Sequence, residues 1–337
     1  MAKKQVSGFA YTNLPTRFIA EYRDGSWNNG RLTLGGSVRL SESAGVLQYA
    51  QTCFEGLKAF RTKDGHIVCF RPDLNEQRMQ DSCARMMIPA LPEGMFLRAI
   101  DEVVRTNKRF VPSYEEKGSM YLRPFAFGSG PVMGVKPAKE YEFRVFGSPV
   151  GNYFTGGLRA LKLRICDLDR AAPHGTGHIK AGLNYAMSLY AITEAHELGY
   201  DENLYLDSAT RTFVEETGGA NIIFITHDGK LVTPKSDTIL PSITRRSLLV
   251  VAQKYLGIEV EERQIRADEL GDFAECGLCG TAAVISPVGS IDDHGKVYTY
   301  ATTEPTEDRT LVKLLRTLRA IQLCEIEAPE GWIRTIC

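Results

Sequence analysis

What this chain has least of is net charge: across 337 residues, 40 Lys and Arg stand against 41 Asp and Glu, a formal balance of −1. Without a basic or acidic excess there is no electrostatic reason to expect a nucleic-acid or membrane partner, and small-molecule chemistry becomes the default. The chain also lacks any apolar run near the roughly 18 residues that read as a membrane span. Its opening, MAKKQVSGFAYTN, has no signal-peptide-like apolar stretch, so a cytoplasmic protein is expected. No fixed-period repeat or low-complexity tract is visible, which removes solenoid and disordered readings. G-x-S-x-G, H-E-x-x-H, a Walker loop and a G-x-G-x-x-G after a strand are all missing, and with them the usual hydrolase, zincin and nucleotide signatures.

The eight cysteines, at 53, 69, 83, 166, 276, 279, 324 and 337, are too scattered for a secreted disulfide framework, and reduced thiols are expected. Cys276 and Cys279 form a C-x-x-C, but no second pair stands at zinc-finger spacing and no histidine is near. No metal is expected there; a redox-sensitive thiol pair is the minority reading.

The length suits two domains, and 43% hydrophobic content suits a buried core. Three hairpin turns, at Asp64-Gly65, Asp228-Gly229 and His294-Gly295, lie between β-rich runs. Helical periodicity appears at 75–87, 96–110, 186–199 and 243–257. Antiparallel hairpins with segregated helices predict an α+β fold. The Gly- and Pro-rich SPVGNYFTGGLRA (148–160) predicts a boundary, giving domains at 1–148 and 161–337 joined by a linker at 149–160.

Residues 177–188, GHIKAGLNYAMS, set Lys180 between an apolar residue and a small Ala181-Gly182 step, with Tyr185 five residues on. A lysine taken out of water pairs its charge or lowers its pKa and becomes a nucleophile; a solvated surface lysine is the competing reading. LPSITRRSLL (240–249) places Ser242 as a helix N-cap, so the Ile243 and Thr244 amides open a helix and suit a phosphate. GTAA (280–283) is a second small-residue turn, with amides and the Thr281 hydroxyl of the same use. EETGGANIIF (215–224) leads two acids into an apolar strand, either as a solvated loop or as a carboxylate held against a cofactor's ring nitrogen.

Together with QYAQTCFEGLKAFR (48–61), FRPDLNEQRM (70–79), YLRP (121–124) and CGTAAVISPV (279–288), these strings resemble, in order and spacing, the branched-chain-amino-acid aminotransferases among the fold-type IV pyridoxal-phosphate enzymes. The resemblance covers nearly the whole chain. It implies a two-domain α+β fold: a smaller N-terminal α/β domain, and a larger C-terminal domain that carries the lysine and a mostly antiparallel, barrel-like sheet. It implies pyridoxal 5′-phosphate as cofactor, ping-pong transfer of the amino group of leucine, isoleucine or valine to 2-oxoglutarate, and a homodimer.

By the same resemblance Lys180 joins the cofactor covalently and shuttles the α-proton, Tyr185 meets the ring hydroxyl, Glu216 the pyridine nitrogen and Leu240 the ring face. Arg78, Ile243, Thr244 and Thr281 hold the phosphate. Tyr49, Phe54, Tyr121, Arg123 and Tyr153 form the substrate pocket, with the α-carboxylate at the Thr281 and Ala282 amides. Met133, Gly134 and Val135 match a loop that closes the neighbouring subunit's pocket. Glu216 is chosen over Glu215 because it stands five residues before Asn221, as the matching residue does in the family. Ser242 stands where many relatives have glycine and Cys279 where serine is frequent, and the C-x-x-C precedes the GTA turn, so a redox role is not carried over. Other fold-type IV activities, a D-amino-acid or amine transaminase or an aminodeoxychorismate-type lyase, differ in the pocket, and YLRP and PVGNYF favour the branched-chain type. The alternative of another class is a non-enzymatic redox or metal-binding protein built on Cys276 and Cys279.

Overall fold

The computed structural model describes residues 10–151 and 158–337. Tyr153 and positions 152–157 of the linker lie outside the described residues. The chain divides into two compact units, one of Met1–Thr155, Ile179–Leu183 and Ile321–Cys337, the other of Gly156–His178 and Asn184–Ala320. The short return at 179–183 carries Lys180, so the lysine groups with the first unit although the sequence on both sides of it groups with the second.

The first unit is built on a sheet ordered Ile333–Thr335, Ile67–Phe70, Leu57–Arg61, Ser119–Gly128, Tyr141–Val150, Thr16–Arg23, Ser26–Trp27. Thr52–Phe54 adds to Ser119–Gly128 and Arg31–Leu34 to Thr16–Arg23, and every pairing is antiparallel. The helix Met95–Thr106 packs on this sheet because Phe96, Ala99, Ile100, Val103 and Val104 recur at helical spacing and are all buried. Phe96 stacks on Phe143 of the sheet, ring centroids 6.2 Å apart. Burying a side chain of that kind contributes about 1.5–3 kcal/mol.

In the second unit the strands Val214–Thr217, Glu202–Leu206, Leu161–Ile165, Val284–Asp293, Phe273–Gly280 and Asn221–Thr226 pair in that order, and Asn221–Thr226 pairs back to Val214–Thr217. These six strands therefore close into a barrel, and Leu231–Pro234, Val260–Arg263 and Lys296–Thr299 pair on from it as branches. Two of the six ladders in the ring are parallel, Leu161–Ile165 with each of its neighbours, and the other four are antiparallel. Asn221–Thr226 is buried on both faces, which is why NIIFIT reads as a continuous apolar run. Phe224 stacks on Phe273 with centroids 4.5 Å apart.

All three glycine turns join paired strands. At the tightest, Asp293 faces Lys296 across His294 (φ +53°) and Gly295 (φ +96°). Two consecutive positive φ values match the right-handed twist of the flanking strands, and glycine supplies the second without strain.

Candidate active site

In the first unit, backbone bonds tie Lys180 to two distant segments. Its N–H donates to Ser82 Oγ (3.0 Å) and its carbonyl accepts from the Phe54 N–H (3.0 Å), while Ala181 bridges to Cys53. Lys180 as a whole is half-buried, but its amine is the enclosed part, 4.9 Å from the Phe54 ring centroid. Desolvation, reinforced by the charge of Arg78, pushes the amine down to about 8 against the opposing pull of Glu55 and Tyr121. A working fraction is then neutral near physiological pH, the state a nucleophile needs.

Arg78, on the helix Pro72–Arg85, is only 5% exposed. Its Nε and Nη2 donate to the two oxygens of Glu55 at 2.7 and 2.8 Å, and Asn75, three residues earlier on the same helix, donates to Glu55 at 2.7 Å. Glu55 is 0% exposed. A bare carboxylate so placed would be very costly; the two-pronged guanidinium contact and the amide offset that cost. Sequence reading singles out neither Glu55 nor Asn75. Their signal was an acid at the end of an apolar strand, and an Asn and an Arg at i, i+3 on one helix face.

Tyr121 and Arg123 stand two apart on the strand Ser119–Gly128 and so share a face. Arg123 lies 4.7 Å from the Phe54 ring and 5.4 Å from the Tyr121 ring, and its Nη2 donates to the Tyr121 hydroxyl (3.2 Å). A Cβ on Gly56 would stand 2.1 Å from that hydroxyl, so the string FEG needs its glycine to admit Tyr121. Tyr49 donates to the Met133 carbonyl at 3.1 Å. It is thereby held against the 133–135 loop, where Met133 and Val135 are 87% and 92% exposed.

In the second unit, Val214–Thr217 turns back through Gly218-Gly219 and sets Glu216 opposite Asn221. Neighbours on a strand face opposite ways. Glu215 accepts from the Ser236 and Thr238 hydroxyls, whereas Glu216 accepts from Asn221 Nδ2 (2.5 Å) and the Leu240 N–H (2.8 Å) and pairs with Arg170 Nη2 (2.9 Å). Arg170 is held from behind by the carbonyls of Thr238 and Gly177. Gly177 has no alternative: a Cβ there would stand 2.1 Å from the Thr238 carbonyl oxygen. Sequence reading does not single out Arg170 either.

The same register sets Asn221 opposite Cys279, two residues before Thr281, so Glu216, Leu240 and the 281–283 turn gather at one rim of the barrel. Just after that turn Val284 has φ +66°, a conformation costly for a β-branched residue and held there by its surroundings. Ser242 caps the helix Ile243–Leu256, its Oγ accepting from the Arg245 N–H at 3.2 Å, and Ile243 and Thr244 open the helix buried. Tyr185 is half-buried in the first turn of Gly182–Glu197, beside Asn184, whose amide exchanges two 2.7 Å bonds with Thr176.

The thiol-based alternative fails on geometry. Cys276 and Cys279, three apart in the strand Phe273–Gly280, point to opposite faces, and Cys276 joins Leu278 in the barrel core. Burial raises both thiols, Cys279 to about 12, which keeps the reactive thiolate scarce at both positions. Among the described residues no group of three or more His, Cys, Asp or Glu gathers to hold a metal.

Residues 52–291 match the family model described as amino-transferase class IV. The chain is 47% identical over 328 residues to the branched-chain-amino-acid aminotransferase of Helicobacter pylori, covering 97% of this chain and 95% of that one. It is 46% identical over 331 residues to that of Haemophilus influenzae, covering 97% and 96%. The chain belongs to the branched-chain-amino-acid aminotransferases of class IV. A solved family member from T.th., complexed with N-(5′-phosphopyridoxyl)-L-glutamate, aligns with TM-score 0.78 and 27% identity over 95% of this chain and 98% of that one.

The cofactor of this aminotransferase is pyridoxal 5′-phosphate, and the donor sets fit it. An amine enclosed and shifted to about 8 suits an aldehyde; an arginine anchored along one edge suits a phosphate; a buried, compensated carboxylate suits a ring nitrogen. The first unit brings together Lys180, Phe54, Arg78, Tyr121 and Arg123, and the second Glu216 and Leu240 by a direct bond. Among the described residues no helix is long and apolar enough to cross a membrane.

Proposed function

We propose that this aminotransferase moves the amino group of leucine, isoleucine or valine to 2-oxoglutarate in a ping-pong cycle, the 2-oxo acid leaving before 2-oxoglutarate enters. The observation that carries the reading is the enclosed Lys180 amine beside the Arg78–Glu55 pair, in a chain nearly half identical to branched-chain relatives end to end. Bound pyridoxal phosphate supplies an aldehyde for the lysine and a ring that accepts the electron pair released at the substrate's Cα.

The chain's own residues do the rest. Arg78, the Ile243 and Thr244 amides and Thr281 hold the phosphate; Glu216 faces the ring nitrogen, Leu240 the ring and Tyr185 the ring hydroxyl. The Lys180 amine takes the proton from the substrate's Cα and gives it back later in the cycle. Phe54 and Tyr121 wall the pocket for a branched chain, and the Thr281 and Ala282 amides receive the α-carboxylate. Arg123 meets the γ-carboxylate of glutamate. With an apolar chain bound it keeps the Phe54 face and the Tyr121 hydroxyl as partners, so its charge is not stranded.

The exposed Met133 and Val135, with Tyr49 bonded to their loop, support a homodimer in which this face completes the neighbour's pocket, and we place that dimer in the cytoplasm. Lys180→Ala is expected to lose the visible absorption band of the purified protein and leucine/2-oxoglutarate turnover by roughly 10³-fold or more. A yellow, active variant would sink the reading.

A further inference from the structure

We propose that Glu55 is a positioning residue for the cofactor's phosphate, fixing the Arg78 guanidinium so that the edge turned away from Glu55 meets the anion. The inference rests on the pyridoxal-phosphate reading above and extends it to a residue outside the contacts that reading assigns.

A guanidinium is planar and carries two usable edges. Glu55 occupies the Nε–Nη2 edge with bonds of 2.7 and 2.8 Å, which dictates the direction of the Nη1–Nη2 edge. The clamp is itself fixed. Glu55 is wholly buried, its N–H donates to the Pro124 carbonyl at 2.7 Å, and Asn75 Nδ2 grips the oxygen that also receives Nη2. An arginine on a long flexible stem thus presents a pre-oriented donor pair, and the ordering is done before the anion arrives. Glu55 has a second consequence at Lys180. Arg78 and Arg123 both push that amine toward its neutral form, and Glu55 opposes them, so one carboxylate keeps the phosphate arginine from dominating the lysine.

Equilibrium dialysis of the full-length protein against pyridoxal phosphate, and in parallel against pyridoxal, which lacks the phosphate, separates positioning from general damage. Glu55→Gln keeps the shape and removes the charge. It is expected to weaken pyridoxal phosphate roughly tenfold or more, as loss of a supporting partner does at metal sites, while pyridoxal changes by less than about threefold. In an Arg78→Ala background Glu55→Gln should add nothing, because Glu55 acts through that arginine. Equal weakening of both ligands, no weakening of either, or an additive effect on Arg78→Ala overturns the proposal. If Glu55→Gln does not fold, Asn75→Ala removes the amide's bonds to Glu55 and to the Gly56 carbonyl and leaves the Arg78 contact in place. It should then weaken pyridoxal phosphate about twofold to threefold with pyridoxal unchanged, and no change there overturns the proposal equally. Wild-type protein that binds neither ligand would instead overturn the cofactor reading itself.

Discussion

Among the described residues each unit holds a deeply buried arginine–glutamate pair, Arg78–Glu55 and Arg170–Glu216, and these two are mirror images in role. In the first unit Glu55 grips Arg78 along a full edge, and the arginine is the member proposed to meet a ligand's charge. In the second, Arg170 reaches Glu216 with Nη2 at 2.9 Å, backbone carbonyls hold the guanidinium, and the glutamate is the member proposed to face the cofactor. A buried ion pair is weak grounds for stability, because desolvation consumes most of the attraction. What each pair provides is one charged group held in a fixed direction, its partner absorbing the cost of burial. The supporting members, Glu55 and Arg170, are ordinary residue types that no short motif identifies.

Breaking the second pair gives the largest effect. Arg170→Met keeps the volume and leaves Glu216 buried without its ionic partner, expected to cost about 3–5 kcal/mol in urea unfolding. A loss below about 1 kcal/mol would mean that the Asn221 and Leu240 bonds already satisfy the carboxylate.

The next test sharpens what only the first pair has, a titrating amine beside it. In cofactor-free protein the rate of Lys180 modification by an amine-selective reagent should rise with pH and level off above about 8. Exposed lysines keep rising past 10, so near neutrality Lys180 should be roughly a hundredfold richer in neutral amine than they are. A profile with its midpoint near 10 would remove the argument from enclosure.

Gly177→Ala tests the support behind Arg170. Its new Cβ collides with the Thr238 backbone, whose carbonyl holds that arginine, and about 1–3 kcal/mol should be lost. Circular dichroism through a urea series would reveal it, and an unchanged midpoint would show that the 177–179 backbone can yield. Smallest is Ser242→Ala, which removes the cap of the helix proposed to meet the phosphate, for about 1 kcal/mol. Loss of cofactor affinity beyond that of helix stability would give the serine a direct part in the anion site.

Much of this was legible beforehand. The three glycine turns, the Ser242 cap and the helix beginning at Ile243 follow from local chemistry, and their signals stand within a few residues of the structure they specify. The choice of Glu216 over Glu215 rested on the family's spacing to Asn221, whereas only antiparallel register puts the Glu216 and Asn221 side chains on one face. Arg78 was legible only through resemblance, since a lone helix arginine is ordinarily solvated. Glu55 and Asn75 left only a faint local signal, and Arg170 none. The Glu55–Arg78, Glu55–Asn75 and Arg170–Glu216 contacts join residues 20 or more apart in sequence, and only packing brings them within 3 Å.

By itself, the sequence determined the turns, the helix starts, the apolar strands and the presence of a lysine, two acids and small-residue turns, because each depends on backbone preferences and side-chain periodicity acting over a few residues. Tertiary structure alone decided that Lys180 sits in the first unit, enclosed by Phe54 and shifted by Arg78, that Cys276 and Cys279 turn away from each other in a core strand, and that Arg78 and Glu216 each have a buried ionic partner. Desolvation and pairing are properties of surroundings, and those surroundings are assembled from segments that the sequence keeps far apart.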